Sequence, residues 1–314
     1  MVDSTQSLLG TRKLLVVTGK GGVGKTTIAA AIGLAAASSG RRTIVVEVGE
    51  ESRLPTLFET AAPEPGAELV LQERLSAVSI DPDRAIMEWL QALGGRISGR
   101  VLASSGTFQY FAAAAPGAKE LVSMMKIWRL TREGSRRRRD GYDLVVLDAP
   151  ATGHALGLLG SPKTFGAIAR VGPIAGQTEQ VSALLEDPAR SAYLAVALAS
   201  EMAVTEALEL QDGLQRQLGR SLSAVIVNGL LPKRFTSAEI VQIAAAGSGA
   251  RVPAVARAAA HAATSVHERA RFQQNQLARL RRRDFDVVGV PFAWSTELDL
   301  TAVREIATRL ARRL

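Results

Sequence analysis

The chain alternates short apolar runs with longer stretches of helical period. Leu14–Thr18 is an apolar run of strand type that passes through a glycine-rich stretch into Ile28–Ala37, an apolar, alanine-rich segment that predicts a buried helix. Further strand runs are predicted at Thr43–Val48, Ser76–Ile80, Tyr142–Asp148, Ser223–Val227 and Asp286–Val290, short and rich in β-branched residues. Between them the period changes. Ile86, Trp89, Leu90, Leu93 and Ile97 fall on one helical face, Leu121, Met124, Met125 and Trp128 repeat the stripe, and Pro116–Gly117 separates the two. Leu194, Leu198 and Met202 predict a long helix over 191–219, an Ala- and Arg-rich stretch predicts another over 250–283, and Leu300–Leu314 predicts an amphipathic closing helix. Residues 60–68, rich in Pro, Ala, Glu and Gly, predict a loop.

Strands alternating with helices predict an α/β fold with a mostly parallel, doubly wound sheet. Residues 82–140 are too long for one crossover, so they predict a helical insertion before the strand at 142–148. A second insertion is predicted at 161–220, the two forming a helical subdomain within a single domain, 1–314. No internal repeat of fixed period is evident.

Composition narrows the chemistry. With 47% hydrophobic residues in 314, the chain can bury a substantial core. No basic flank precedes an apolar core near the N-terminus and no window of eighteen apolar residues exists, so a cytoplasmic location is expected, with peripheral membrane contact left open. The absence of cysteine removes thiolate catalysis and any cysteine-based zinc or arsenite site. His261 and His267 do not share a helical face, and no H-E-x-x-H is present, so a protein-held metal is not expected. The net charge of +8 permits anionic partners. Its dense runs, Arg136–Arg139 and Arg281–Arg283, are not interleaved with aromatics, so nucleic acid is not the expected partner.

The glycine-rich stretch carries the strongest signal. Gly19, Gly24, Lys25 and Thr26 satisfy G-x-x-x-x-G-K-[ST], in which backbone N–H groups of Gly21, Gly22, Val23, Gly24 and Thr27 wrap a phosphate at a helix N-terminus. Lys25 is expected to reach the β- and γ-phosphates, and Thr26 to place its hydroxyl on Mg²⁺. This predicts a P-loop NTPase that uses ATP and Mg²⁺. Asp148, at the end of an apolar strand, fits the Walker B position and is expected to hold the metal through water. The Ala149–Leu158 segment that follows, with Pro150, Gly153 and His154, reads as a turn that senses the γ-phosphate.

Several segments together look like one family: GKGGVGKTT at 19–27, DAPATGHALGLL at 148–159, VIVNG at 225–229 and VPFAW at 290–294. They resemble the arsenite-pump ATPases (ArsA) and the ATPases that target tail-anchored membrane proteins. The resemblance implies that Lys20, the second lysine of the loop, acts across a dimer interface on the partner's nucleotide. It also implies that Asn228 reads the adenine, with Pro291, Phe292 and the residues to Trp294 packed against it. The implied partner is a second copy or a paralogous ATPase.

Two departures qualify it. The family's D-P-A-H, whose aspartate positions the attacking water, is replaced by Val48-Gly49-Glu50-Glu51-Ser52, so Glu47, Glu50 or Glu51 substitutes, a partner chain supplies the function, or hydrolysis is slow. The missing cysteines argue against metalloid transport of the arsenite type. Three functions compete. The first is an ATP-dependent dimer whose insertions hold a hydrophobic or membrane-associated client, for which Met87, Met124, Met125 and Met202 offer adaptable apolar surface. The second is a regulatory module that binds ATP and barely hydrolyses it. The third is a partition-type ATPase on DNA or membrane.

Overall fold

The structure is a computed structural model that describes residues 7–93, 117–132, 141–168, 173–249, 251–295 and 298–314. In its first half the elements are α1 (Leu8–Thr11), β1 (Leu14–Gly19), α2 (Lys25–Ser38), β2 (Thr43–Val48), α3 (Leu54–Leu57), β3 (Leu69–Gln72), β4 (Leu75–Ile80), α4 (Pro82–Leu93) and α5 (Ala118–Thr131). The second half contributes β5 (Leu144–Ala151), α6 (Thr152–Ile168), α7 (Pro173–Glu186), β6 (Ser191–Leu198), α8 (Glu201–Leu218), β7 (Ala224–Leu230), α9 (Ser237–Gly247), α10 (Ala254–Leu280), β8 (Asp286–Pro291) and α11 (Leu300–Leu310).

The strands form one sheet in the order β3-β4-β2-β5-β1-β6-β7-β8. All neighbours pair in parallel except β3 with β4, which is antiparallel at the edge. This is the α/β fold that the alternation predicts. β1 is buried along its whole length because β5 and β6 flank it and helices cover both faces. α2 is buried on nearly every side, which explains its all-round apolar sequence. Its small residues let it lie close to the sheet: a Cβ on Gly33 would come within 2.6 Å of the Val45 side chain. α11, capped by the Asp299 carboxylate on the Ala302 N–H at 2.9 Å, packs on α2 from outside.

The structure corrects several sequence expectations. Residues 191–198 are strand β6 rather than the start of a helix, so the segment 161–220 is not helical throughout. β6 lies between β1 and β7, where both faces are covered and every polar backbone group has a neighbouring strand. Such a strand loses the alternation that distinguishes it from a helix. Its Tyr193 is fully buried, with the hydroxyl donating to Leu185 O at 2.7 Å. The expected turn at 149–158 is instead the last residues of β5 and the first turns of α6. The helical stretch expected at 250–283 is α10 alone, preceded by α9.

Helices α4, α5, α6 and α7 pack on one another beside the β5 strand. Ion pairs from Lys119 to Asp83 at 2.5 Å and from Lys126 to Glu88 at 2.7 Å join α4 to α5. Met124 and Met125 are buried among them and Met87 packs against the core, so these methionines fill the interior. Met202 is exposed but lies on α8, next to the glycine-rich loop. Ile97, Pro116 and Arg136–Arg139 lie outside the described residues.

Candidate functional site

The C-terminal ends of the parallel strands collect every residue of the predicted constellation. At the end of β1, Gly19 has φ +147°, and a Cβ there would stand 2.1 Å from the Val196 carbonyl oxygen of β6, so only glycine lets the chain turn here. Gly24, with φ +91°, is the N-cap of α2, and its missing Cβ would meet the Asn228 amide at 2.5 Å. Gly21 and Gly22 have open space where a side chain would be. Ile28 donates the first helical bond, to Gly24 O at 3.0 Å. The preceding N–H groups therefore stand outside the helical ladder, at the positive end of the helix dipole.

Lys25 is folded over this loop, its Nζ donating to Lys20 O at 3.1 Å. Loss of water lowers its pKa, Asp148 raises it and Arg53 lowers it again. Asp148 sits near the end of β5, opposite Val17 of β1 and Glu47 of β2 in the pairing register, and is 8% exposed. Its Oδ2 accepts from the Thr26 hydroxyl at 2.5 Å, while its Oδ1 is buried with no partner among the described residues. Burial pushes its carboxyl up to about 6; the Thr26 bond opposes this, Glu47 adds to it, and Lys25 and Arg53 oppose it. A buried carboxylate oxygen without a donor, beside a threonine hydroxyl at an anion cradle, fits Mg²⁺, which takes oxygen ligands and retains waters.

Beside this pair the chain leaves β2. Glu47 is 7% exposed and both its oxygens are engaged by its own loop: Ser52 donates through its hydroxyl and Arg53 through its main-chain N–H at 3.3 Å. Burial, the largest influence, raises its pKa against these bonds. Gly49 has φ +155° with nothing near its missing Cβ, and Glu50 and Glu51 are exposed. Arg53 is the residue that the sequence reading passed over. No motif marks it, and it comes to notice through its main-chain N–H, which is bonded to Glu47.

On the opposite side of the loop, Asn228 at the end of β7 donates through Nδ2 to Val23 O at 3.0 Å. Pro291 pairs in register with Leu230. Phe292 and Trp294 are exposed and meet edge to face at 5.1 Å, with Arg234 lying 5.6 Å over the Trp294 ring. Lys20 turns away from Lys25 and forms an ion pair with Glu206 of α8, touching the Met202 sulfur. In the 149–158 segment, the Thr18 hydroxyl donates to Pro150 O at 2.8 Å, the Thr152 hydroxyl oxygen is buried with no partner among the described residues, and His154 is exposed.

A strand, a glycine cradle on a helix N-terminus, an invading lysine and a strand-end aspartate bonded to the cradle threonine define a P-loop nucleotide-binding protein. The anion-transporting ATPase family matches residues 12–174, and the chain belongs to that family. It is 32% identical over 240 residues to ATPase BagA of Mycobacterium tuberculosis, covering 74% of this chain and 69% of that protein. It is 27% identical over 234 residues to the arsenical pump-driving ATPase of Escherichia coli, covering 69% of this chain and 39% of the relative. To ATPase GET3 of Chaetomium globosum it is 29% identical over 181 residues, covering 56% and 52%.

Proposed function

We propose that the chain binds Mg·ATP at the N-terminus of α2 and hydrolyses it slowly, working as a nucleotide-gated dimer with a second copy or a paralogous ATPase. The observation that carries the reading is the Thr26–Asp148 pair, with its orphaned Oδ1, beside Lys25. Lys25 exchanges the Lys20 carbonyl for the β- and γ-phosphate oxygens, and the free N–H groups of the loop hold the same phosphates. Thr26 and Asp148 would hold the metal, Asp148 through water, and Mg²⁺ would neutralise charge on the phosphate oxygens. Asn228 releases Val23 O and offers donor and acceptor to the adenine edge, with Pro291 and Phe292 beside it.

Slow turnover follows from the loop after β2. Gly49 carries no carboxylate to align water, and Glu47 is committed to Ser52 and Arg53. General-base help of this kind contributes ~10²–10⁴-fold. The dimer rests on Lys20 and on the family. A hydrophobic or membrane-associated client rests on the family alone, because Met124 and Met125 are buried. A cytoplasmic location, at the membrane surface if the client is there, goes with the proposed use of ATP.

A regulatory module that holds ATP without hydrolysing it is the second reading, favoured by Gly49. Phosphate release under excess Mg·ATP separates the two. The expected result is slow release in the wild type that disappears in Lys25→Ala and Asp148→Asn. Bound nucleotide with no release over hours supports the regulatory module instead.

A further inference from the structure

Arg53 begins α3 at the end of the loop that leaves β2, and its place is fixed from both sides. Its main-chain N–H is bonded to Glu47, which lies next to Asp148 across the β2–β5 pair, and the following Leu54 is fully buried. Only the side chain is free to reach out, and it is exposed. Glu47 does not neutralise it by an ion pair, because the Glu47 oxygens accept from Ser52 and from the Arg53 backbone. The guanidinium has no hydrogen bond or ion pair among the described residues.

The charge of Arg53 is nonetheless felt by Lys25 of the loop, by Asp148 beside it and by Glu47. Its effect on Lys25 is repulsive, while the Asp148 carboxylate attracts both cations. Two positive charges that share the neighbourhood of Asp148, each with donors to spare, suit an anion that brings its own negative charge. A guanidinium also matches phosphate oxygens in a two-pronged way that a lysine cannot.

We propose that Arg53 contacts the γ-phosphate of bound ATP from within the same chain, as a catalytic cation on the loop that lacks the family's aspartate. Glu47 is then the positioning residue that holds the loop. In the reaction, the water oxygen bonds to the γ-phosphorus as the bond from that phosphorus to the ADP oxygen breaks, and the water's proton leaves on the phosphate. Arg53 stabilises the charge on the γ-oxygens during that exchange.

This inference rests on the nucleotide reading above, and the test separates the two. Calorimetry measures the affinities of Mg·ADP and of a non-hydrolysable Mg·ATP analogue for wild type, Arg53→Lys and Arg53→Ala. The expected result is that Arg53→Ala weakens the analogue ~10-fold or more and leaves ADP unchanged, with Arg53→Lys between. An unchanged analogue-to-ADP ratio in Arg53→Ala overturns the inference while leaving the nucleotide site intact. An equal loss of both affinities also overturns it, as a purely structural effect. A wild type that binds neither nucleotide overturns the underlying reading as well.

Discussion

Asp148 is a carboxylate kept at the end of a central strand with most of its water removed, and before any ligand arrives it costs the protein stability. Its pKa rises from an ordinary 3.8 to about 6, chiefly through burial. A raised carboxyl contributes stability that is fully present below the unfolded pKa and is lost as pH rises through the folded one, here between about pH 4 and 6. The amount is roughly 3 kcal/mol at most, and Glu47 acts in the same direction. Asp148→Asn is therefore expected to raise the urea midpoint of the nucleotide-free protein at pH 8, with the gain shrinking as pH falls to 4. A gain independent of pH would show that the charge is not the cause. The cradle itself was legible in the sequence because its chemistry is local: Gly19, Gly24, Lys25 and Thr26 need only their spacing. Arg53 was not, since its importance depends on which atoms occupy the Glu47 carboxylate.

Among the elements, legibility followed how far each one depends on its neighbours. β1, β2, β5, β7 and β8 read correctly because β-branched residues dominate runs such as Thr43–Val48, bounded by turn residues. β6 did not. Ser-Ala-Tyr-Leu-Ala-Val-Ala-Leu is alanine- and leucine-rich, which favours helix locally, and the two flanking strands override that preference. α9 was missed although its start carries a full capping box, with Thr236 and Glu239 bonding each other's N–H groups. The start of α6 was read as a turn, yet the helix runs from Thr152 to Ile168, through Pro162 and four glycines, because neighbouring helices pack around it. These elements matter to the site: β6 supplies the carbonyl that makes Gly19 obligatory, and α8 behind it carries the partner of Lys20.

At the scale of the molecule, one sheet edge brings together residues from 19 to 292, with the glycine-rich loop at its centre and the segments that follow β2, β5, β7 and β8 around it. Lys20 is held in a half-buried ion pair with Glu206, so a dimer that uses Lys20 must first release it. Light scattering with a Mg·ATP analogue is expected to show a nucleotide-dependent dimer that Lys20→Ala weakens and Glu206→Gln strengthens. A chain that stays monomeric with nucleotide, alone and beside a paralogous ATPase, would remove the dimer from the account. The central claim is narrower, that the N-terminus of α2 is a Mg·ATP site served by Lys25. Calorimetric titration of Mg·ATP into wild type and Lys25→Ala tests it most directly. The account predicts saturable binding by the wild type and none by Lys25→Ala, and equal affinity of the two proteins would contradict it.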